Sequence, residues 1–170
     1  MIKGNFIKPS SLLVSRALVQ QVGLFNEALP TAEDREWLVR LLLKTCFVYA
    51  PEAITQYRWH DDNASHVRNA RRNMENGLLA IKIIRDNPAI GLGPAEIAAC
   101  QHEITAHLQS YFYVCSQHGV AAYARGVQFA RRHFGWSSAQ ASIRPKTLAR
   151  SVVSLFVDPL KNPAKDYPDL

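Results

Sequence analysis

Cysteine is scarce in this 170-residue chain: Cys46, Cys100 and Cys115 are the only three. They form no C-x-x-C pair and cannot all pair with one another. With no secretory signal read after Met1, a reducing, cytosolic setting is expected. Long apolar runs are missing too, since nothing approaches the roughly 18 residues that a membrane span needs. A soluble protein, or one peripheral at the cytoplasmic membrane face, is therefore expected. The sequence holds no internal repeat and no low-complexity tract. Most telling is the lack of acid: no Asp or Glu stands between Glu103 and Asp158, while that interval holds Arg125, Arg131, Arg132, Arg144, Lys146 and Arg150. Two readings stay open. The tract meets an acidic partner such as phospholipid headgroups, a nucleotide or nucleic acid, or it is a solvated basic face.

The remaining composition is that of a globular domain. Apolar residues at 48% and charged residues at 20% suffice for one buried core in a chain of this length. Along the chain, residues 4–7 and Leu12 to Val14 read as extended pieces around a Lys8-Pro9-Ser10-Ser11 turn. Ser15 is placed to cap a short helix to Val22, which Gly23 then ends. Thr31-Ala32-Glu33-Asp34 has the form of a capping box opening a very apolar helix to about Lys44. Phe47 to Ala50 and Ala53 to Trp59 read as strands broken at Pro51-Glu52.

Helical periodicity takes over after Ser65. Val67, Ala70, Met74, Leu78, Ile81 and Ile84 share one face, and Asn87-Pro88 stops that helix. Pro94 suits a first helical position, and Ile97, Ile104, Leu108, Phe112 and Cys115 carry a stripe onward to Gly119. Further helices are expected from Val120 to about Phe134 and from Pro145 to about Val157. In the last of these Leu148, Val152, Leu155 and Phe156 share a face flanked by Arg144, Lys146 and Arg150. Such a helix suits an anionic membrane surface, and it equally suits packing on its neighbours.

For chemistry, the acidic pair Glu33-Asp34 comes first. A carboxylate in a helix's first turn is held as the anion by the positive helix end, which favours a base that stays ionised. The competing role for Asp34 is completion of the capping box. His102-Glu103-Ile104-Thr105-Ala106-His107 puts its histidines five apart, about 100° off a shared face, so it lacks the spacing of a zinc-protease helix.

Val22-Gly23-Leu24-Phe25-Asn26-Glu27, Ala32-Glu33-Asp34, Arg40-Leu41, Tyr57-Arg58-Trp59-His60 and Ser65 follow one another in an order that resembles family-2 glycosyltransferases. The resemblance covers residues 4 to 68. It implies an α/β, mostly helical fold: a partial GT-A (Rossmann-like) domain with a few short strands, followed by a helical C-terminal region. It further implies Asp34 as catalytic base with Glu33 beside it, and Arg40 as a structural residue. Arg58 and His60 would lie near the donor diphosphate or its metal, with His60 as a metal ligand or else a locally satisfied strand-end residue. Ser10 and Ser11 would line the acceptor side or form a plain turn. The complete enzyme would use a nucleotide-diphosphate sugar, an acceptor hydroxyl and a divalent magnesium or manganese ion. No D-x-D motif and no glycine-rich phosphate loop is present, so most of the donor site is expected to be missing.

The expected organisation is residues 1–68 as an acceptor-side half domain, 69–158 as a helical extension and 159–170 as a loose tail. The expected function is a fragment of an inverting glycosyltransferase, inactive alone. The rival is a non-catalytic helical interaction module that binds a protein or an acidic surface. A second rival is a nucleic-acid binder using the acid-free tract, the less expected of the partners, whose binding would weaken steeply with salt. Neither rival explains why the E-D, Arg and Y-R-x-H pieces fall in order.

Overall fold

A computed structural model describes residues 7–52, 55–58, 60, 63, 66 and 69–153. Among them are helices α1 (Arg16–Val22), α2 (Glu33–Leu42), α3 (Ala70–Asp86), α4 (Pro94–Gln117), α5 (Val120–Ser142) and α6 (Pro145–Val153). Single 3-10 turns stand at Pro9–Ser11 and Pro88–Ile90. No strand occurs among the described residues. This overturns the expected α/β class: the described residues form an all-helical assembly, with no partial GT-A domain among them.

The reason lies in what a strand requires. β-branched and aromatic residues favour an extended backbone, but its N–H and C=O groups still need a neighbouring ladder. Phe47 to Ala50 find none, and Val48 and Tyr49 stand 96% and 85% exposed. In the second expected strand, Thr55 to Arg58 carry no regular structure, while residues 53, 54 and 59 lie outside the described residues. Leu12 to Val14 likewise join no sheet among the described residues, and residues 4–6 lie outside them.

α4 is the central element. It packs against α3, α5 and α6, α2 packs on α3, and α1 packs on α2. The α3 face materialises through Leu78, Ile81 and Ile84, all fully buried, with Met74 packed against them. Val67 lies outside the described residues. On α4 the buried stripe is Ile104, Leu108, Phe112 and Cys115, with Cys100 one turn earlier. Ile97 is 42% exposed and does not take part.

α4 and α5 approach closely at Gly126. A Cβ built there would stand 2.9 Å from Cys115 Sγ and 3.3 Å from a Tyr111 ring carbon, so only hydrogen fits. Gly135, at φ 83, interrupts α5 where the expected helix stops, and the chain resumes helically to Ser142. That bend lets the second half of α5 lead into α6.

A second, smaller core joins Trp37, Leu38 and Leu41 of α2 to Leu18, Val19 and Val22 of α1. Ser15 caps α1 by accepting from Leu18 N at 3.2 Å. α2 does not form the expected capping box: its N-cap is Ala32, left-handed at φ 67, with no side-chain cap. Thr31 Oγ1 instead accepts from Asn76 Nδ2 of α3 at 2.8 Å. A tertiary hydrogen bond has taken the oxygen that local geometry would have used.

Candidate functional site

The acidic pair occupies the first turn of α2 together with Glu36. Glu33 and Asp34 are half-buried, and the Asp34 charge acts on its neighbour Arg35. Burial pulls the Arg35 guanidinium below its ordinary value, against the raising effect of Glu103 on α4, of Cys100 and of Asp34. Glu103 also stands 3.6 Å from His107 Nε2 and 3.8 Å from His102 Nδ1. His107 is pushed below the usual imidazole value by burial first and by the Arg35 charge second. Arg35 thus feels the Asp34 charge of its own helix and the Glu103 charge of α4 together.

The other expected site residues collect elsewhere. Thr55 Oγ1 donates to Ser10 O at 3.1 Å, and Lys8 Nζ lies 5.3 Å from the centre of the Tyr57 ring. Ser10, Arg58 and His60 are exposed, and Ser11 donates to Lys8 O at 2.7 Å within its own turn. The Arg58 carbonyl accepts from Asn63 Nδ2 at 3.1 Å, and the His60 carbonyl from Asn63 N at 3.1 Å. The Ser10–Ser11 turn is thus brought to the 55–57 segment, whereas among the described residues no hydrogen bond or ion pair joins Glu33 or Asp34 to Arg58 or His60. Nor do three His, Cys, Asp or Glu side chains converge among the described residues, so His60 gains no partners for a metal there.

Arg40, by contrast, has a defined job. Its guanidinium forks onto Glu36 at 2.8 and 2.9 Å and also donates to Leu24 O at 2.7 Å and to Val22 O. Trp37 Nε1 donates to Gly23 O at 2.8 Å. Glu36, Trp37 and Arg40 therefore close one clamp on the backbone Val22-Gly23-Leu24, satisfying carbonyls that the end of α1 leaves open.

The acid-free tract supplies the remaining surface. Arg144, Lys146, Thr147 and Arg150 of the α6 region and Ala106, Gln109, Ser110, Tyr113 and Val114 of α4 line an open groove of about 570 Å³. The Arg150 guanidinium sits 4.8 Å from the centre of the Tyr113 ring, and Arg144 Nη2 donates to Gln109 Oε1. Gln109, Ser110 and Tyr113 escape the sequence reading. Their signal is their common turn away from the Ile104, Leu108 and Phe112 stripe.

α6 is oriented by two small polar residues. Thr147 and Ser151 are its buried positions. Each hydroxyl donates at 2.7 Å to a backbone carbonyl three residues earlier, Arg144 O and Leu148 O, so neither enters the interface unsatisfied. At ~100° per residue, the opposite arc carries Leu148, Ala149, Val152 and Val153, with Lys146 and Arg150 along one border. Leu148, Val152 and Val153 are 50%, 45% and 54% exposed. The apolar arc of α6 faces outward. Leu155 and Phe156, expected on the same face, lie outside the described residues.

No family model matches this chain, and neither a search of curated proteins nor one of solved structures finds a match. With the helical fold, this corrects the glycosyltransferase resemblance. The ordered residues that carried it are accounted for in part by the clamp on α1. No helix of the described residues is long and apolar enough to cross a membrane.

Proposed function

We propose that the chain is a non-catalytic helical interaction module that docks through α6 on an anionic membrane surface. The observation that supports this most directly is the inversion of α6, which buries Thr147 and Ser151 and leaves Leu148, Val152 and Val153 outside. A surface helix ordinarily turns its apolar arc inward, so an outward apolar arc bordered by cations calls for an apolar, negatively charged neighbour. A second copy of the chain fits poorly, because an isologous contact would press Lys146 and Arg150 against their own like charges.

The magnitude is that of a reversible peripheral contact. Arg144, Lys146 and Arg150 contribute about 1 kcal/mol each near an anionic leaflet. Completing the burial of three half-exposed aliphatic side chains adds roughly 1 kcal/mol each. Together these set an upper bound of about 6 kcal/mol, or a Kd of roughly tens of micromolar.

Cosedimentation with phosphatidylcholine vesicles containing phosphatidylglycerol tests the reading. Binding should weaken steeply with salt and should drop about tenfold in a Leu148→Asp variant that keeps its helical circular dichroism. Equal binding by wild type and variant, or binding indifferent to lipid charge, would refute docking by α6. Sugar transfer from a nucleotide-diphosphate donor, abolished by Asp34→Asn, would refute the non-catalytic part.

A further inference from the structure

We infer that the groove between α4 and α6 is a headgroup site selective for a phosphomonoester lipid, so that the docked module distinguishes anionic lipids by chemistry as well as by charge. The inference rests on the docking reading for its membrane setting, but it is carried by a different feature: the built walls of the groove beside the apolar arc. Arg144, Lys146 and Arg150 bring three positive charges to one opening, and Gln109 and Tyr113 fix two of them. With the Arg150 guanidinium held over the Tyr113 ring, its planar fork is pre-organised. With Gln109 Oε1 accepting from Arg144, the carboxamide Nε2 is left as a donor on the same wall.

No carboxylate competes for these donors in sequence, because none occurs between Glu103 and Asp158. Among the described residues none of the three cations has an ion-pair partner. A phosphomonoester carries about −1.5 to −2 charge and three strong acceptor oxygens, which matches two forks, an ammonium and an amide donor. A phosphodiester or a carboxylate headgroup offers less charge and fewer open oxygens to the same set. The groove, about 570 Å³ and open to solvent, leaves more room than a bare ion fills. RNA is the less suitable polyanion, since the Tyr113 face that would stack a base is occupied by Arg150.

The experiment compares vesicles in which phosphatidic acid or phosphatidylserine is adjusted to the same surface potential. Wild type should prefer phosphatidic acid on the order of tenfold, as charge-assisted hydrogen bonds at fixed geometry require. Arg150→Gln and Gln109→Ala should each remove most of that preference, while phosphatidylserine binding falls only about fivefold for Arg150→Gln, the loss of one surface charge, and stays within about threefold for Gln109→Ala. Arg132→Gln, an exposed α5 residue, removes the same unit of charge away from the groove and should leave the preference intact. Equal affinity for both lipids overturns the headgroup site and leaves docking standing. Binding to neither overturns docking itself. Calorimetric binding of glycerol 3-phosphate without any vesicle preference overturns the lipid source, and RNA outcompeting both vesicles overturns the membrane.

Discussion

Replacing Arg40 with Met should be among the costliest single changes in the N-terminal part of the molecule. The guanidinium makes a bidentate pair with Glu36, whose side chain is 3% exposed, and covers the carbonyls of Val22 and Leu24. Met keeps the aliphatic stem and removes only the charge and the donors. Glu36 is then left as a buried carboxylate without its partner, a situation that costs about 3–5 kcal/mol. Arg40 itself is 19% exposed, so water can reach the vacated position and the lower end, about 3 kcal/mol, is expected. Glu36→Gln combined with Arg40→Met removes the stranded charge and should recover roughly 2 kcal/mol of that loss, a coupling that a double-mutant cycle reads directly. Urea unfolding followed by far-ultraviolet circular dichroism and tryptophan emission is the assay, with the midpoint falling by about 1–3 M for Arg40→Met at an ordinary m-value. Hydrogen exchange should quicken first at Gly23 N, which is bonded to Val19 O at the end of α1. Arg40→Met within about 0.5 kcal/mol of wild type, or strict additivity in the cycle, would show that the clamp bears no weight.

Ala32→Gly should stabilise the chain by about 1 kcal/mol, because Ala32 holds φ 67 at the start of α2 and glycine occupies that region without the Cβ penalty; a lower melting temperature would refute it. Gly126→Ala should cost about 1–2 kcal/mol net despite alanine's better helix propensity, since its Cβ meets Cys115 Sγ at 2.9 Å, and Cys115→Ala in the same chain should recover most of the loss. Burial and the Arg35 charge keep His107 below its ordinary pKa, so the unfolded chain binds the extra proton: stability is full above about pH 6.5 and falls on acidification. His107→Asn should shrink that acid limb, leaving the share of His118, which burial also lowers, and an unchanged limb would exclude the mechanism. Cys115, buried and pushed up to about 11, and the buried Cys100 should resist a thiol reagent at neutral pH while exposed Cys46 reacts at once; three equally fast thiols would contradict the packing.

Periodicity made the larger core legible. Leu78, Ile81 and Ile84, then Ile104, Leu108, Phe112 and Cys115, recur at helical steps, and apolar residues at those steps have one economical place to go. Ser15 was readable for a local reason, a hydroxyl placed to accept from the first turn of α1. The strands were not, because propensity at Phe47 to Ala50 expresses a willingness to be extended, and the decision belongs to a neighbouring ladder that the described residues do not supply. Thr31 was misread because Asn76, 45 positions away, competes for its hydroxyl. The groove was half legible: its cations stand out in sequence, while Gln109, Ser110 and Tyr113 gain meaning only when α6 is laid beside α4.

The same limit explains α6, and it bears on every amphipathic helix read from sequence. A moment tells which residues share an arc and leaves open which arc meets the core. On α6 the choice is made by Thr147 and Ser151, whose hydroxyls bond to carbonyls of their own helix and so can be buried at little cost. Tyr123 OH adds a contact to Thr147 Oγ1 at 3.3 Å, tying that face to α5. Replacing both residues with Leu should therefore test the orientation itself. If the two hydroxyls steer the helix, Thr147→Leu/Ser151→Leu overfills the seam, costs about 1–3 kcal/mol and leaves Leu148 and Val152 outside. If the hydroxyls played no part in seating that face, the double variant would be no less stable than wild type and would bind anionic vesicles unchanged, because the apolar arc and the same cations stay outside. A stable variant that no longer binds anionic vesicles would mean that α6 had rolled over, with the original apolar arc turned inward.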